Sequence, residues 1–247
     1  MKILVCITKA PDTTTKVAFT DNNSKLNEAG VQWIINPYDE WFALVRALEL
    51  KEAGIATAIH LITVGKTDTE PVIRKALALG GDEAIRIEAD SNDSFYIASQ
   101  IAEYAKTQVY DMILTGKESI DYGNASIGAM VAELLDLPFI SHVTKLDVAG
   151  NTVTVNREIE GGEETDSCTT PVVISCQKGM AEARIPNMRG IMAARTKPLN
   201  VVAAKDISEL TSIVSYELRA QKTGVKMIDG DNMDELVRLL HEEAKVI

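Results

Sequence analysis

Residues that hold metals or carry redox chemistry are scarce in this 247-residue chain. Its three cysteines, Cys6, Cys168 and Cys176, form no Cys-x-x-Cys pair and give no metal-ligand spacing. They read as free, buried or half-buried thiols, which suits a reducing compartment. His60, His142 and His241 are scattered, so a histidine-based metal or catalytic cluster has no support. No apolar run approaches the roughly 18 residues that a membrane span needs. The N-terminal MKILVCIT enters a strand directly, without the charged-then-apolar pattern of a secretion signal. The expectation is a soluble cytoplasmic protein with no membrane insertion. Positive charge is also short: 25 Lys and Arg face 36 Asp and Glu, a net charge of −11. That balance disfavours nucleic acid as a partner, because phosphate binding needs a positive face. One stretch breaks the trend. RIPNMRGIMAARTK, residues 184–197, carries four basic residues and no acidic one.

What is present is an alternation of strand and helix signals. KILVCIT (2–8) is a short apolar, β-branched run that predicts a buried strand. The stretch 11–27 is polar, either irregular or a small hairpin. Asn36-Pro37 predicts a helix N-cap with proline in the first turn, followed by Trp41, Leu44, Val45 and Leu48 at helical spacing up to Gly54. AIHLITV (58–64) predicts a strand, and Thr67-x-x-Glu70 a capping box for a helix that stops at Gly80-Gly81. EAIRIE (83–88) predicts a strand, then a helix from about 91–93 through Ile97, Ile101 and Tyr104. YDMILTG (110–116) is the next strand, and Ile127, Met130, Val131, Leu134 and Leu135 mark a helix ending before Pro138. This order is that of an α/β, doubly wound, mostly parallel sheet of nucleotide-binding type. After about residue 138 the period becomes two. VTKLDV, a Gly150-Asn151 turn and TVTVNREI predict an added hairpin, and PVVISC (171–176) a further buried strand. The expected division is an α/β domain over 1–205 and a C-terminal arm over 206–247 that ends in a helix capped near Asp231.

Ligands of an open parallel sheet bind outside the carboxyl ends of its strands, where the strand order reverses. Here those ends are 8–11, 64–66 and 115–124. The third leads into a helix through YGNASIG, where Gly123 and Gly128 allow close backbone approach. Amides around 124–127, with the Ser126 hydroxyl, form a candidate anion site at a helix N-terminus. An ordinary glycine-punctuated loop explains the same residues, since neither GxGxxG nor GxxxxGK[ST] is present. Asp39 and Glu40 read as charges placed well against a helix dipole, and Glu158, Glu160, Glu163 and Glu164 as solvated strand carboxylates. No nucleophile–base set can be assembled, so the chain reads as a nucleotide-binding scaffold and not an enzyme. In the basic stretch, Met188 and Met192 share one face if the segment is helical, and Arg184 and Arg189 flank Met188. That composition suits docking of an acidic partner; a solvated loop and a helix start are the plain alternatives.

Several motifs converge on one family. NPYDE (36–40), ITVG (62–65), RKALALGGDEAIRI (74–87), YDMILTGKESID (110–121), NREIEGGEET (156–165) and RIPNMRGIMAARTKPL (184–199) resemble, in order and spacing, the small (beta) subunit of electron-transfer flavoproteins. The resemblance covers roughly residues 1–200; beyond 206 it is one of kind and not of motif. It implies a heterodimer with an alpha subunit that holds most contacts to FAD, while the beta subunit binds AMP in a structural role. It implies one-electron transfer from flavin dehydrogenases, such as those acting on acyl-CoA, onward to a membrane quinone oxidoreductase. Carried over residue by residue, the AMP site falls on Cys6 through its backbone, Asn36, Val64, Gly123, Asn124, Ala125, Ser126 and Ile127. The phosphate loop varies within the family, and YGNASI matches no one version fully.

The RIPNMRGIM segment of the basic stretch, within 178–195, resembles the family's recognition loop. It implies docking by Arg184, Ile185, Met188, Arg189, Ile191 and Met192, with Met188 where the apolar anchor is usually leucine. Glu158 matches a glutamate implicated in productive electron transfer. A bifurcating branch of the family carries a second FAD in place of AMP, and tends to have Asp-Thr-Ala-Gln where this chain has Gly123-Asn124-Ala125-Ser126. Outside the family, a stand-alone adenine-nucleotide sensor of the universal-stress type and an ATP-cleaving enzyme on a related fold are the rival readings.

Overall fold

The computed structural model describes residues 1–37, 39–221 and 224–247. Tyr38 of the NPYDE motif lies outside the described residues. The N-terminal strand β1 (Lys2–Cys6) is followed by four short strands, β2 (Lys9–Pro11), β3 (Phe19–Thr20), β4 (Lys25–Leu26) and β5 (Trp33–Ile35). Helix α1 (Asp39–Glu52), strand β6 (Ala58–Val64), helix α2 (Glu70–Leu79), strand β7 (Glu83–Glu88) and helix α3 (Ser94–Lys106) come next. Strand β8 (Met112–Gly116) and helix α4 (Ile127–Leu135) lead into β9 (Phe139–Ala149), β10 (Thr152–Ile159), β11 (Gly162–Thr169) and β12 (Val172–Cys176). Helix α5 (Met188–Ala194), strand β13 (Leu199–Ala203) and helix α6 (Met233–Arg238), which continues as a π-helical turn over Leu239–Glu243, come last.

Nine strands form one sheet in the order β11-β10-β9-β12-β8-β1-β6-β7-β13. From β9 to β13 every neighbouring pair is parallel, and β10 and β11 add antiparallel strands at one edge. Alternation along β1 serves both faces. Ile3 and Val5 join Leu44, Ile73 and Leu77 on the α1–α2 side, while Leu4 and Cys6 join Ile101 and Val131 on the α3–α4 side. All are buried, and each large aliphatic side chain so placed contributes about 1.5–3 kcal/mol. The chain therefore winds outward from β1 through β6 and β7, then crosses back to β8. The reversal lies between β1 and β8.

The expected helices and strands are present, with four differences. Asn36 is not a helix cap: α1 begins at Asp39, and the Asn36 side chain turns to another loop instead. Thr67 does not cap α2. Residues 67–69 form a 3₁₀ turn in which the Thr69 hydroxyl donates to the Lys66 carbonyl, and α2 starts at Glu70 with Pro71 in its first turn. The polar stretch 11–27 holds the small β3–β4 hairpin, while the short β2–β5 pairing has no signal in the periodicity. LNVVA, expected only as the end of the domain, is edge strand β13, parallel to β7.

Candidate functional site

A cleft of about 1110 Å³ opens at the carboxyl ends of β1, β6 and β8, across the reversal point. Its volume lies somewhat above the usual range for small-molecule sites, about 300–1,000 Å³. Cys6, Val64, Asn124 and Ile127, four of the residues expected at the nucleotide site, are in its lining. Thr115, at the end of β8, also lines it, and its buried hydroxyl has no hydrogen-bond partner.

The wall is built by the N-terminus of α1. Asn36 is fully buried, and its amide is fully engaged: Nδ2 donates to the Glu118 carbonyl (2.7 Å), and Oδ1 accepts from the Ile120 amide (3.1 Å). The Asn36 amide in turn donates to the Thr8 carbonyl at 3.0 Å. Glu40 accepts from the Thr8 amide at 2.5 Å, and Asp39 accepts from the Glu118 amide at 3.2 Å. These three residues tie the loop after β1 to the loop after β8. Asn36 thus stands one layer behind the cleft surface, as a brace of its wall.

Asp39 and Glu40 are more than dipole partners, because both are buried. Burial pushes Glu40 up to about 8, against the opposing pull of the Thr8 hydrogen bonds, and neighbouring Asp39 adds to the rise. Asp39 is raised by burial too, partly offset by the Glu118 amide and Lys117. Gly116 makes this approach feasible. A Cβ there would lie 2.9 Å from Glu40 Cγ and 3.1 Å from Asp39 Cβ.

In the candidate anion loop the two glycines act differently. Gly123 adopts φ +64° with open space around it, so it serves the turn and not a close contact. Gly128 is the close-approach position, with an added Cβ 2.7 Å from Thr115 Oγ1. Asn124 and Ala125 are exposed between them. Ser126 is the N-cap of α4 but makes no side-chain cap, so the first-turn amides have no capping oxygen from it. Lys9, Lys66 and Lys117 in the lining pair with Asp68, Asp90 and Glu118 respectively. With those charges already matched, the loop amides and the helix N-terminus are the natural anion donors. Cys6 offers only its backbone, because burial pushes its thiol far up.

The basic stretch forms a ledge on the α1–α2 side. Asn187 caps α5 by accepting from the Gly190 amide at 2.8 Å. Gly190 sits so close to α2 that a Cβ would lie 2.3 Å from the Ala78 carbonyl oxygen. Arg184 is engaged with α1: its guanidinium forms two bonds to Glu52 (2.6 and 3.0 Å), and its carbonyl accepts from Trp41 Nε1. Arg189 is exposed, as are Ile185 (89%), Met188 (74%), Ile191 and Met192. An apolar patch on a rigid seat therefore faces outward.

Glu158 lies on β10, an interior strand, and not at a sheet edge. Register places it level with the carboxyl end of β12, since Arg157 pairs Val143, Val143 pairs Cys176 and Cys176 pairs Gly116. It is exposed at the end of the sheet where the cleft opens, and its Oε2 accepts from the buried Gln177 at 2.6 Å. Nothing local in the sequence marks Gln177; only the register brings it to Glu158. Among the described residues, no group of three or more His, Cys, Asp and Glu side chains could hold a metal ion, and no helix is long and apolar enough to cross a membrane.

A doubly wound sheet with a cleft at its reversal point defines an open α/β protein of the kind that binds ligands outside the carboxyl ends of its strands. The profile of the electron transfer flavoprotein domain matches residues 24–207. The chain is 36% identical to an electron transfer flavoprotein subunit beta of Bacillus subtilis, with all of both chains covered. It is 37% identical to one of Syntrophomonas wolfei over 93% of this chain and 90% of that one. It is 30% identical to that of Mus musculus over 100% and 99%. This chain belongs to the electron transfer flavoprotein family, as one of its beta subunits.

Proposed function

We propose that the chain is the small subunit of a heterodimeric electron carrier, holding AMP in the switch-point cleft as a structural nucleotide. The carrying observation is the cleft itself, where the ends of β1, β6 and β8 converge with the uncapped first turn of α4. In this reading the amides of 123–127 receive the phosphate, and the backbones of Cys6 and Val64 border the rest. Asn36, Asp39 and Glu40 keep the two loops in register.

The partner alpha subunit holds FAD, which supplies the redox chemistry by taking up and passing on electrons. The α5 ledge, with Met188 as apolar anchor among Ile185, Ile191 and Met192, docks the flavin dehydrogenase that loads the carrier. Arg189 offers the positive rim, whereas Arg184 acts from behind by fixing the ledge to α1. Glu158, oriented by Gln177, faces the flavin-bearing side and assists transfer, and a quinone oxidoreductase receives the electrons. The C-terminal arm, residues 206–247, seats on the alpha subunit; the exposure of Val214 (86%), Val225 (80%) and Met227 (86%) supports a covered surface there.

The test is a nucleotide count on the protein purified with its partner. One AMP and one FAD per heterodimer is the expected result. Two FAD and no AMP would replace this reading by the electron-bifurcating one, and a stable monomer that recruits no flavin-bearing chain would support a stand-alone nucleotide sensor.

A further inference from the structure

Among the described residues, the segment after β13 has no regular secondary structure until α6, yet it is pinned at three places, two of them at the cleft. Gln100, fully buried on α3, exchanges both amide bonds with the Lys205 backbone, donating to its carbonyl and accepting from its amide, each at 2.8 Å. Asp93, which caps α3 by accepting from the Tyr96 amide, accepts from the Thr211 amide at 2.8 Å and from its hydroxyl at 2.5 Å. Further on, the Tyr216 amide donates to the Asn23 carbonyl at 2.7 Å. The Tyr216 ring stacks on Phe19, with centroids 4.9 Å apart and planes 11° from parallel. Its hydroxyl meets that of Tyr122 at 3.1 Å. From 208 to 221 every residue is exposed except Tyr216. Thr211, Ile213 and Tyr216 line the cleft together with Phe19 and Tyr122.

Tyr122 is the residue before the 123–127 loop, and Phe19 belongs to the β3–β4 hairpin on the opposite rim. We propose that Tyr216 is a positioning residue of the cleft. It clasps the strap 205–216 to the hairpin and to the phosphate loop, so that the strap closes over the bound nucleotide and slows its escape. The proposal rests on the reading of the cleft as a nucleotide site. Linkage requires the converse as well: a ligand retained by the closed strap must hold the strap closed.

The experiment uses the chain purified with its partner subunit and loaded with radiolabelled AMP, with label loss followed after dilution into excess unlabelled AMP. Tyr216→Ala removes the stack and the hydroxyl contact, and should release AMP about tenfold faster. Tyr216→Phe keeps the stack and should restore most of the retention. Thr211→Val loosens the other anchor and should fall between. Melting temperatures measured without AMP should stay within about 4 °C of the unaltered protein for all three variants, which separates positioning from a general loss of fold. Release at the unaltered rate from both Tyr216→Ala and Thr211→Val overturns the proposal. Should Tyr216→Ala fail to fold, unaltered release from Thr211→Val has the same force. If the unaltered protein retains no AMP, the nucleotide reading fails first and takes this proposal with it.

Discussion

Replacing Glu40 by glutamine tests the brace behind the cleft through its proton. In the folded protein the Glu40 carboxyl is pushed up to about 8 from an ordinary 4.5. Between those pH values the folded state keeps a proton that the unfolded chain has lost, so stability attributable to this group falls as pH rises. At about 1.4 kcal/mol per pH unit, raising the pH from 5.5 to 8 costs on the order of 3 kcal/mol at this one position. Glu40→Gln mimics the protonated carboxyl. Its amide oxygen still accepts from the Thr8 amide, and it carries no charge beside Asp39. Urea denaturation of both proteins at pH 5.5 and 8 isolates the effect, since other titrations cancel in the difference. The variant should gain on the unaltered protein by about that amount between the two pH values. A difference that does not change with pH refutes the idea that a buried, protonated carboxyl ties the two loops.

Asn36→Ala removes the buried amide that bridges the Glu118 carbonyl and the Ile120 amide, both of them only partly shielded from water, and should cost about 1–3 kcal/mol in chemical denaturation; a loss below 0.5 kcal/mol, on the same order as the error in such ΔΔG values, removes Asn36 as a brace. Met188→Ala should slow reduction by the partner dehydrogenase about tenfold while heterodimer assembly and FAD content stay intact; unchanged turnover removes Met188 as anchor. Gly190→Ala should give the same phenotype from behind the surface, because its Cβ would meet the Ala78 carbonyl and lift α5 from α2; normal docking kinetics would count against a rigid seat.

The sheet was legible wherever a strand is buried on both faces and bounded by turn residues. EAIRIE spans the same six residues in sequence and structure, and AIHLITV the same seven. LNVVA escaped because it is an exposed edge behind a proline, with none of the alternation that burial imposes. The cleft's position followed from strand order alone, yet the residues that shape it did not. Asp39 and Glu40 look like any acidic start of a helix; their burial depends on Thr8 and Glu118, brought in from two other loops. Arg184 reads as a free positive charge until α1, over 130 residues earlier, supplies Glu52. Tyr216 has no meaning in its own stretch of sequence, because its stacking and hydroxyl partners are both nearly 100 residues or more away. Local pattern identifies elements, while polar contacts between distant loops are invisible to it.

The placement of the α5 ledge between β12 and β13 has a mechanical consequence. Those strands stand five neighbours apart in the sheet, with β8, β1, β6 and β7 between them, a span of about 24 Å. Residues 177–198 therefore run as a beam supported at both ends, crossing above α1 and α2. Arg74 and Lys197 bolt the far end: Arg74 donates to the Ala194 and Lys197 carbonyls, and Lys197 to those of Leu77 and Gly81. A load applied at Met188 is shared between the centre and the rim of the sheet. The outward side chains of the beam can change from one partner to another without disturbing either support.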